Sequence, residues 1–235
     1  MDHDRGRYRP HGVGAVSDPG AHGLTHWPAE RLAGHAGELH ARPLASGRLV
    51  EVLDVTAAAL VLGSAQPDAV ARPRNDVEVV RRRTGGGAVL LVPGEFTWID
   101  VTIPRGDPLH DDDVGRAFHW LGETWAAALG ALGLDPVVHT GPPVASPWSS
   151  TICFAGIGSG EVVSDDRKVV GLSQRRTRAA SRFQSVVFHR WDPDALLALL
   201  AVDDALGASN FLLRHAAAVP AAHDAVVAAF LAALP

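Results

Sequence analysis

Arg81-Arg82-Arg83-Thr84-Gly85-Gly86-Gly87-Ala88-Val89 joins two β-type runs, residues 77–81 and 87–92. Three successive glycines let backbone approach a ligand without Cβ interference and let several N–H groups point one way. The arginines beside them offer forked donors suited to phosphate or carboxylate. The stretch therefore reads as an anion or nucleotide loop, with a glycine bulge or hairpin turn at a solvated basic strand end as the plain alternative. The G-x-x-x-x-G-K-[ST] spacing of a phosphate-binding P-loop is absent.

Working outward, short β-type runs cover residues 49–53, 58–62 and 97–103, and with the two above they suggest an antiparallel meander. Residues 28–39 suggest a short amphipathic helix. Residues 111–132 change period, with Val114, Phe118, Leu121, Trp125, Ala128 and Leu132 on one stripe behind three aspartates, which predicts a helix. Further strands are expected near 136–139, 152–155, 161–164, 168–174 and 183–189, and helices at 193–200 and 221–234. Strands, an inserted helix, then more strands and helices make an α/β or α+β plan. Residues 1–24 lack apolar periodicity and read as a disordered leader, leaving residues 25–235 as a single domain.

The second informative stretch begins Cys153-Phe154-Ala155-Gly156 and continues through Asp165-Asp166-Arg167-Lys168-Val169-Val170-Gly171-Leu172-Ser173-Gln174-Arg175. Asp165-Asp166 reads as the turn of a hairpin, so Lys168 begins a strand and its side chain is fixed to one sheet face. Of 21 Lys and Arg residues, Lys168 is the single lysine. In so arginine-biased a chain, a surviving ammonium suggests a task that a planar guanidinium cannot perform. Cys153 is the one cysteine. A lone cysteine is most often a small buried hydrophobe. Lys168, Arg175, Arg176 and Arg178 would give it the electropositive setting that suits a nucleophilic thiol.

Composition removes several classes. One cysteine excludes an internal disulfide and a multi-cysteine metal site. A net charge of -5 gives no broad basic field, which disfavours nucleic acid or an anionic membrane. No apolar run approaches the roughly 18 residues of a membrane span, and the first ten residues are charged, so a cytoplasmic protein is expected. The 12 histidines form no H-E-x-x-H arrangement, no G-x-S-x-G elbow occurs, and the glycines at 156–160 lack dinucleotide-binding spacing. Trp98, Trp120, Trp125, Trp148 and Trp191 read as core or rim anchors.

From about Leu49 to Leu200 the sequence resembles the biotin/lipoate protein-ligase family, in its lipoate-protein ligase and octanoyltransferase branches. Residues 81–89 look like that family's R-R-x-S/T-G-G-G-A-V loop, and Arg167-Lys168-Val169-Val170-Gly171-Leu172-Ser173-Gln174-Arg175 is similar to its R-K-V-x-G-S-A-Q-R strand. Val61-Leu62-Gly63-Ser64-Ala65-Gln66 is a weaker match to an early strand and turn lining the acyl pocket. The resemblance implies a twisted, mostly antiparallel sheet flanked by helices, with an acyl chain in a tunnel under the glycine loop and Lys168 on the reacting carbonyl. By the same match Arg81, Arg82, Thr84, Gly85, Gly86, Gly87, Ala88, Gly63, Gly171 and Ser173 line the substrate site, with Lys168 and Cys153 catalytic. Lipoate or octanoate is the implied acyl substrate, a lipoyl-domain protein the recipient, and acyl carrier protein a donor.

The chain departs from the family in three places. The ligases' His-Asp pair after the glycine loop is replaced by Leu90-Leu91-Val92, and their Arg-Asn-Asp stretch by Pro147-Trp148-Ser149-Ser150. The His-Gly pair after the lysine strand is replaced by Phe183-Gln184-Ser185. Cys153-Phe154 looks like the acyl-thioester cysteine of one octanoyltransferase branch, implying a ping-pong transferase. ATP-dependent ligation through an acyl-adenylate, with magnesium and with Arg82 and Lys168 on its phosphate, stays open, as does a non-catalytic acyl- or anion-binding module.

Overall fold

The computed structural model describes residues 27–72 and 74–235, so the expected leader lies outside the described residues. In chain order the elements are β1 (Ala29–Gly34), α1 (Ala36–Ala41), β2 (Leu49–Val55), β3 (Ala59–Leu62), β4 (Glu78–Arg81), β5 (Val89–Leu91) and β6 (Phe96–Pro104). They continue with α2 (His119–Ala131), β7 (Pro136–Val138), β8 (Val162–Ser164), β9 (Arg167–Arg176), β10 (Ala180–Phe188), α3 (Pro193–Leu197), α4 (Ala205–His215) and α5 (His223–Ala232). A seven-stranded sheet has the order β1-β2-β6-β10-β9-β8-β7. It is antiparallel except where β1 pairs β2. Helices flank it, as expected.

The strands from residue 49 do not form a meander. β4, β3 and β5 make a separate three-stranded sheet, with β3 parallel to β4 and antiparallel to β5. Period-two alternation explains why two sheets form. Successive residues of β6 are buried on opposite faces. Ile99, Val101 and Ile103 pack in one core with Leu121, Trp125, Val226 and Phe230 of α2 and α5. Phe96 and Trp98 pack in another with Val61, Val89 and Leu91 of the small sheet. The site lies on this second side.

Three further expectations are corrected, and one element was missed. Residues 28–39 divide into β1, paired in register with β2, and the short α1; an edge strand's alternation was masked by its polar residues. The helix expected from Asp111 begins at His119 as α2. The aspartates instead cap local turns: Asp111 accepts from the Asp113 N–H at 2.7 Å and Asp113 from the Arg116 N–H at 2.9 Å. Residues 152–155 are not a strand, because Cys153–Ala155 forms a single 3₁₀ turn. Helix α4 was not expected, although Asp204 caps it by accepting from the Gly207 N–H at 2.9 Å. The hairpin at Asp165-Asp166 is present, both residues having positive φ (50° and 58°) as a two-residue turn with right-handed strand twist requires. Among the described residues, no helix is long and apolar enough to cross a membrane.

Candidate functional site

The glycine loop is held from both sides. Arg81 turns away from it and donates to the carbonyls of Gly63 at 2.8 Å and of Gln66, and pairs with Asp68, fixing the turn after β3. Arg82 is buried and folds back on its own loop. Its Nη2 donates to the carbonyls of Gly85 at 2.6 Å and Gly87 at 2.9 Å. Burial holds this guanidinium below its ordinary pKa. Most of its donors are thus spent on carbonyls that the tight loop would otherwise leave unpaired.

Two glycines are required by contact. A Cβ on Gly87 would lie 2.5 Å from the backbone of Ile152 and 2.7 Å from the Cys153 nitrogen, and one on Gly63 would lie 1.9 Å from the Gly86 oxygen. The close approach at Gly87 lets Ala88 donate to Thr151 O at 2.7 Å and accept from the Cys153 N–H at 3.0 Å. Those two bonds dock the Cys153 turn onto the glycine loop. Thr84 ties the loop to the lysine strand by donating to Ser173 Oγ at 3.1 Å.

Lys168 is fully buried, and two of its N–H bonds are placed on carbonyls while its charge is paired. Nζ donates to Cys153 O at 2.9 Å, to Gly156 O at 3.0 Å, and pairs with Glu161 Oε2 at 2.6 Å. It also lies 4.9 Å from the centroid of the Phe154 ring. That ring sits against Gly171, where a Cβ would meet it at 2.8 Å. Sequence reasoning missed Glu161. The signal was available: a lone lysine leading one arm of a hairpin calls for a counter-charge on the other arm, and Glu161 is the acidic residue there.

Two cavities meet at Cys153. A narrow one of about 40 Å³ has apolar walls including Val61, Leu91, Trp98, Phe154 and Val186, with His40 and Gln184 as polar members. A wider cleft of about 430 Å³ is lined by Gly85, Gly86, Gly87, Glu161 and Lys168. Cys153, Arg82, Leu172 and Ser173 line both. The structure thus brings Cys153, Lys168, Ser173, Gly171, Arg82 and the three glycines to these cavities. Arg81, Thr84, Gly63 and Ala88 act behind them, shaping the loop and the turn. Neither His40 nor Gln184 was expected at the site. Desolvation, with Arg82, Arg42 and Arg182 nearby, pulls His40 down to about 3, so it is a neutral ring. Arg176 is committed to the carbonyls of Asp111, Asp112 and Asp113.

This fold is shared with lipoate-protein ligases. The lipoyl protein ligase A/B catalytic-domain model matches residues 52–217, and the chain belongs to that family. It is 33% identical over 128 residues to octanoyltransferase LipM of Kyrpidia tusciae, an alignment covering 52% of this chain and 45% of that protein. It is 28% identical over 102 residues to octanoyltransferase LipM of Clostridioides difficile, covering 43% and 37% respectively. The chain thus spans less than half the length of each of these relatives in alignment. The structure of a bipartite lipoate protein ligase from Thermoplasma acidophilum superposes with a TM-score of 0.68 at 18% identity, covering 88% of this chain and 82% of that one. A lipoate-protein ligase A bound with ATP gives 0.67 at 17% identity, covering 89% and 84%. At these identities the structural likeness shows the fold.

Proposed function

We propose that this chain is an acyltransferase that moves an octanoyl or lipoyl group from a thioester donor to a lysine of a lipoyl-domain protein, through a thioester on Cys153. The observation that carries this reading is the position of Cys153, the one thiol, where the apolar cavity opens into the glycine-walled cleft. The Cys153 thiol gives up its proton and attacks the donor carbonyl, a sulfur–carbon bond forms, the donor's carbon–sulfur bond breaks, and the donor leaves as a thiolate that takes up that proton. The recipient amine then attacks the Cys153 thioester, an amide forms and the thiol is restored. The relatives named octanoyltransferase support this chemistry, and a ligase structure reported with its E2 lipoyl domain supports the recipient.

Two features bear on the substrate. At 10–15 Å³ per water, the narrow cavity as it stands holds roughly three waters, so an eight-carbon tail enters only if its walls part. Glu161, the carboxylate lining the wider cleft among the described residues, is engaged by Lys168 and by two backbone N–H groups. The cleft therefore offers a magnesium–nucleotide no uncommitted carboxylate, which favours a thioester donor over ATP. The test is to incubate the full chain with octanoyl-carrier protein or with lipoate and ATP, together with a lipoyl domain, and to weigh both proteins. An octanoyl adduct on Cys153 and on the lipoyl domain, both absent with Cys153→Ala, is expected. Transfer that survives Cys153→Ala and needs ATP would establish ligation instead, and no mass gain with either donor would leave a binding module.

A further inference from the structure

Glu161 is buried with its carboxylate fully used. Oε2 accepts from the Gly158 N–H at 2.7 Å and is ion-paired with Lys168 Nζ at 2.6 Å, and Oε1 accepts from the Leu172 N–H at 2.9 Å. Its position is therefore set by the loop before β8 and by β9 together. A buried ammonium persists only beside a counter-charge and with its protons placed. Glu161 supplies the charge at 2.6 Å. The two placed N–H bonds both fall on the turn that carries the thiol, at the carbonyls of Cys153 and Gly156.

We propose that Glu161 is a positioning residue. It fixes the Lys168 ammonium, the ammonium orients the Cys153–Gly156 turn, and that turn sets the thiol at the junction of the two cavities. The inference rests on the reading that Cys153 takes the acyl group, and it adds a residue to that site. Glutamine at 161 would turn an amide N–H₂ or a weaker acceptor towards the ammonium, so Lys168 and the turn would lose their registration.

The chain's single lysine and single cysteine make the test direct. With [¹⁵N]lysine incorporation, Lys168 gives the one side-chain Nζ resonance of the full chain, which is expected to be ordered and slow to exchange in the parent and in Glu161→Asp. It is expected to be lost in Glu161→Gln. In single-turnover acylation by an octanoyl thioester, followed by intact mass, Glu161→Gln is expected to slow the Cys153 adduct about 100-fold at an unchanged half-saturating donor concentration. Glu161→Asp should recover to within about tenfold of the parent. A purely structural role would instead reduce the fraction of molecules acylated and leave their rate alone. That result, or a Glu161→Gln rate within threefold of the parent, overturns the proposal. If the parent takes no acyl group, the functional reading fails by itself, and Cys153 alkylation by iodoacetamide decides the positioning role. A tenfold change in Glu161→Gln sustains it, and an unchanged rate with the Nζ signal retained overturns it.

Discussion

Two groups of charged side chains are buried in the large sheet, and they are built differently. In the Lys168–Glu161 pair the charges lie 2.6 Å apart, two ammonium N–H bonds are placed on carbonyls at 2.9 and 3.0 Å, and each carboxylate oxygen accepts a backbone N–H at 2.7 or 2.9 Å. Arg42, Glu51, Asp100 and Arg182 form a looser quartet. Its Asp100 contacts to Arg42 and Arg182 are 3.6 and 3.7 Å, and Arg182 approaches Glu51 at 3.6 Å. Arg42 Nε donates to Glu51 Oε1 at 2.9 Å, but Arg42 Nη2, 2.8 Å from the same oxygen, Glu51 Oε2 and Arg182 Nε lack hydrogen-bond partners. Burial pushes Asp100 up to about 7, with Arg182 and Arg42 opposing and Glu51 adding to the rise. The contrast teaches that burial alone does not confer geometric control. The pair places atoms; the quartet stores a titration behind Trp98 and Gln184, both of which contact Asp100.

The sharpest way to break the comparison is to remove one partner from each group. Lys168→Met leaves Glu161 buried without a cation and should cost about 3–5 kcal/mol in urea unfolding. Lys168→Met combined with Glu161→Leu should recover most of that stability while Cys153 acylation stays lost. Arg182→Met should cost only about 1–2 kcal/mol, because Asp100 can take up a proton near neutral pH. Equal losses for Lys168→Met and Arg182→Met would erase the distinction.

A placed contact also separates two neighbouring glycines. Gly87→Ala drives a Cβ into the Ile152 backbone and should cost about 1–3 kcal/mol, with slower Cys153 acylation. Gly85 has open space around the added Cβ and no positive φ, so Gly85→Ala should stay within about 0.5 kcal/mol of the parent. Thermal or urea midpoints of the two variants measure the difference.

The quartet's titration has a smaller signature. Asp100 titrates near 7 when folded against about 3.9 unfolded, so its contribution is full below about pH 4 and declines as pH rises towards 7. His40 titrates near 3 against about 6.5, so its contribution is full above about pH 6.5 and declines as pH falls. Between about pH 4 and 6.5 the two slopes oppose each other. Relative to the parent, Asp100→Asn should therefore lose stability on acidification and His40→Gln should lose it as pH rises, each by up to about 1.4 kcal/mol per pH unit. Parallel stability curves for the parent and both variants would show that neither group titrates as assigned.

Much of this site was legible because its residues are locally conspicuous. The triple glycine, the lone lysine and the Asp165-Asp166 turn each announce a backbone or charge requirement without reference to distant residues. What was hidden depends on pairing across the fold. β1 forms on β2, so its segment suggested a helix when read alone. The inward fold of Arg82 is decided by carbonyls of its own loop. Glu161 was signalled by the lone lysine across the hairpin, but its bonds to the Gly158 and Leu172 N–H groups depend on how β8 and β9 pair, which includes a shift between Val162 and Val163.

The satisfied ammonium also bears on survival of the catalyst. On the proposed reading, an activated acyl group sits beside the protein's own primary amine, an arrangement that invites migration from sulfur to nitrogen and permanent self-inactivation. The Lys168 nitrogen is engaged by the Cys153 and Gly156 carbonyls and paired with Glu161, and no other lysine exists in the chain to receive the group. Peptide mapping after many turnovers should find Lys168 unacylated.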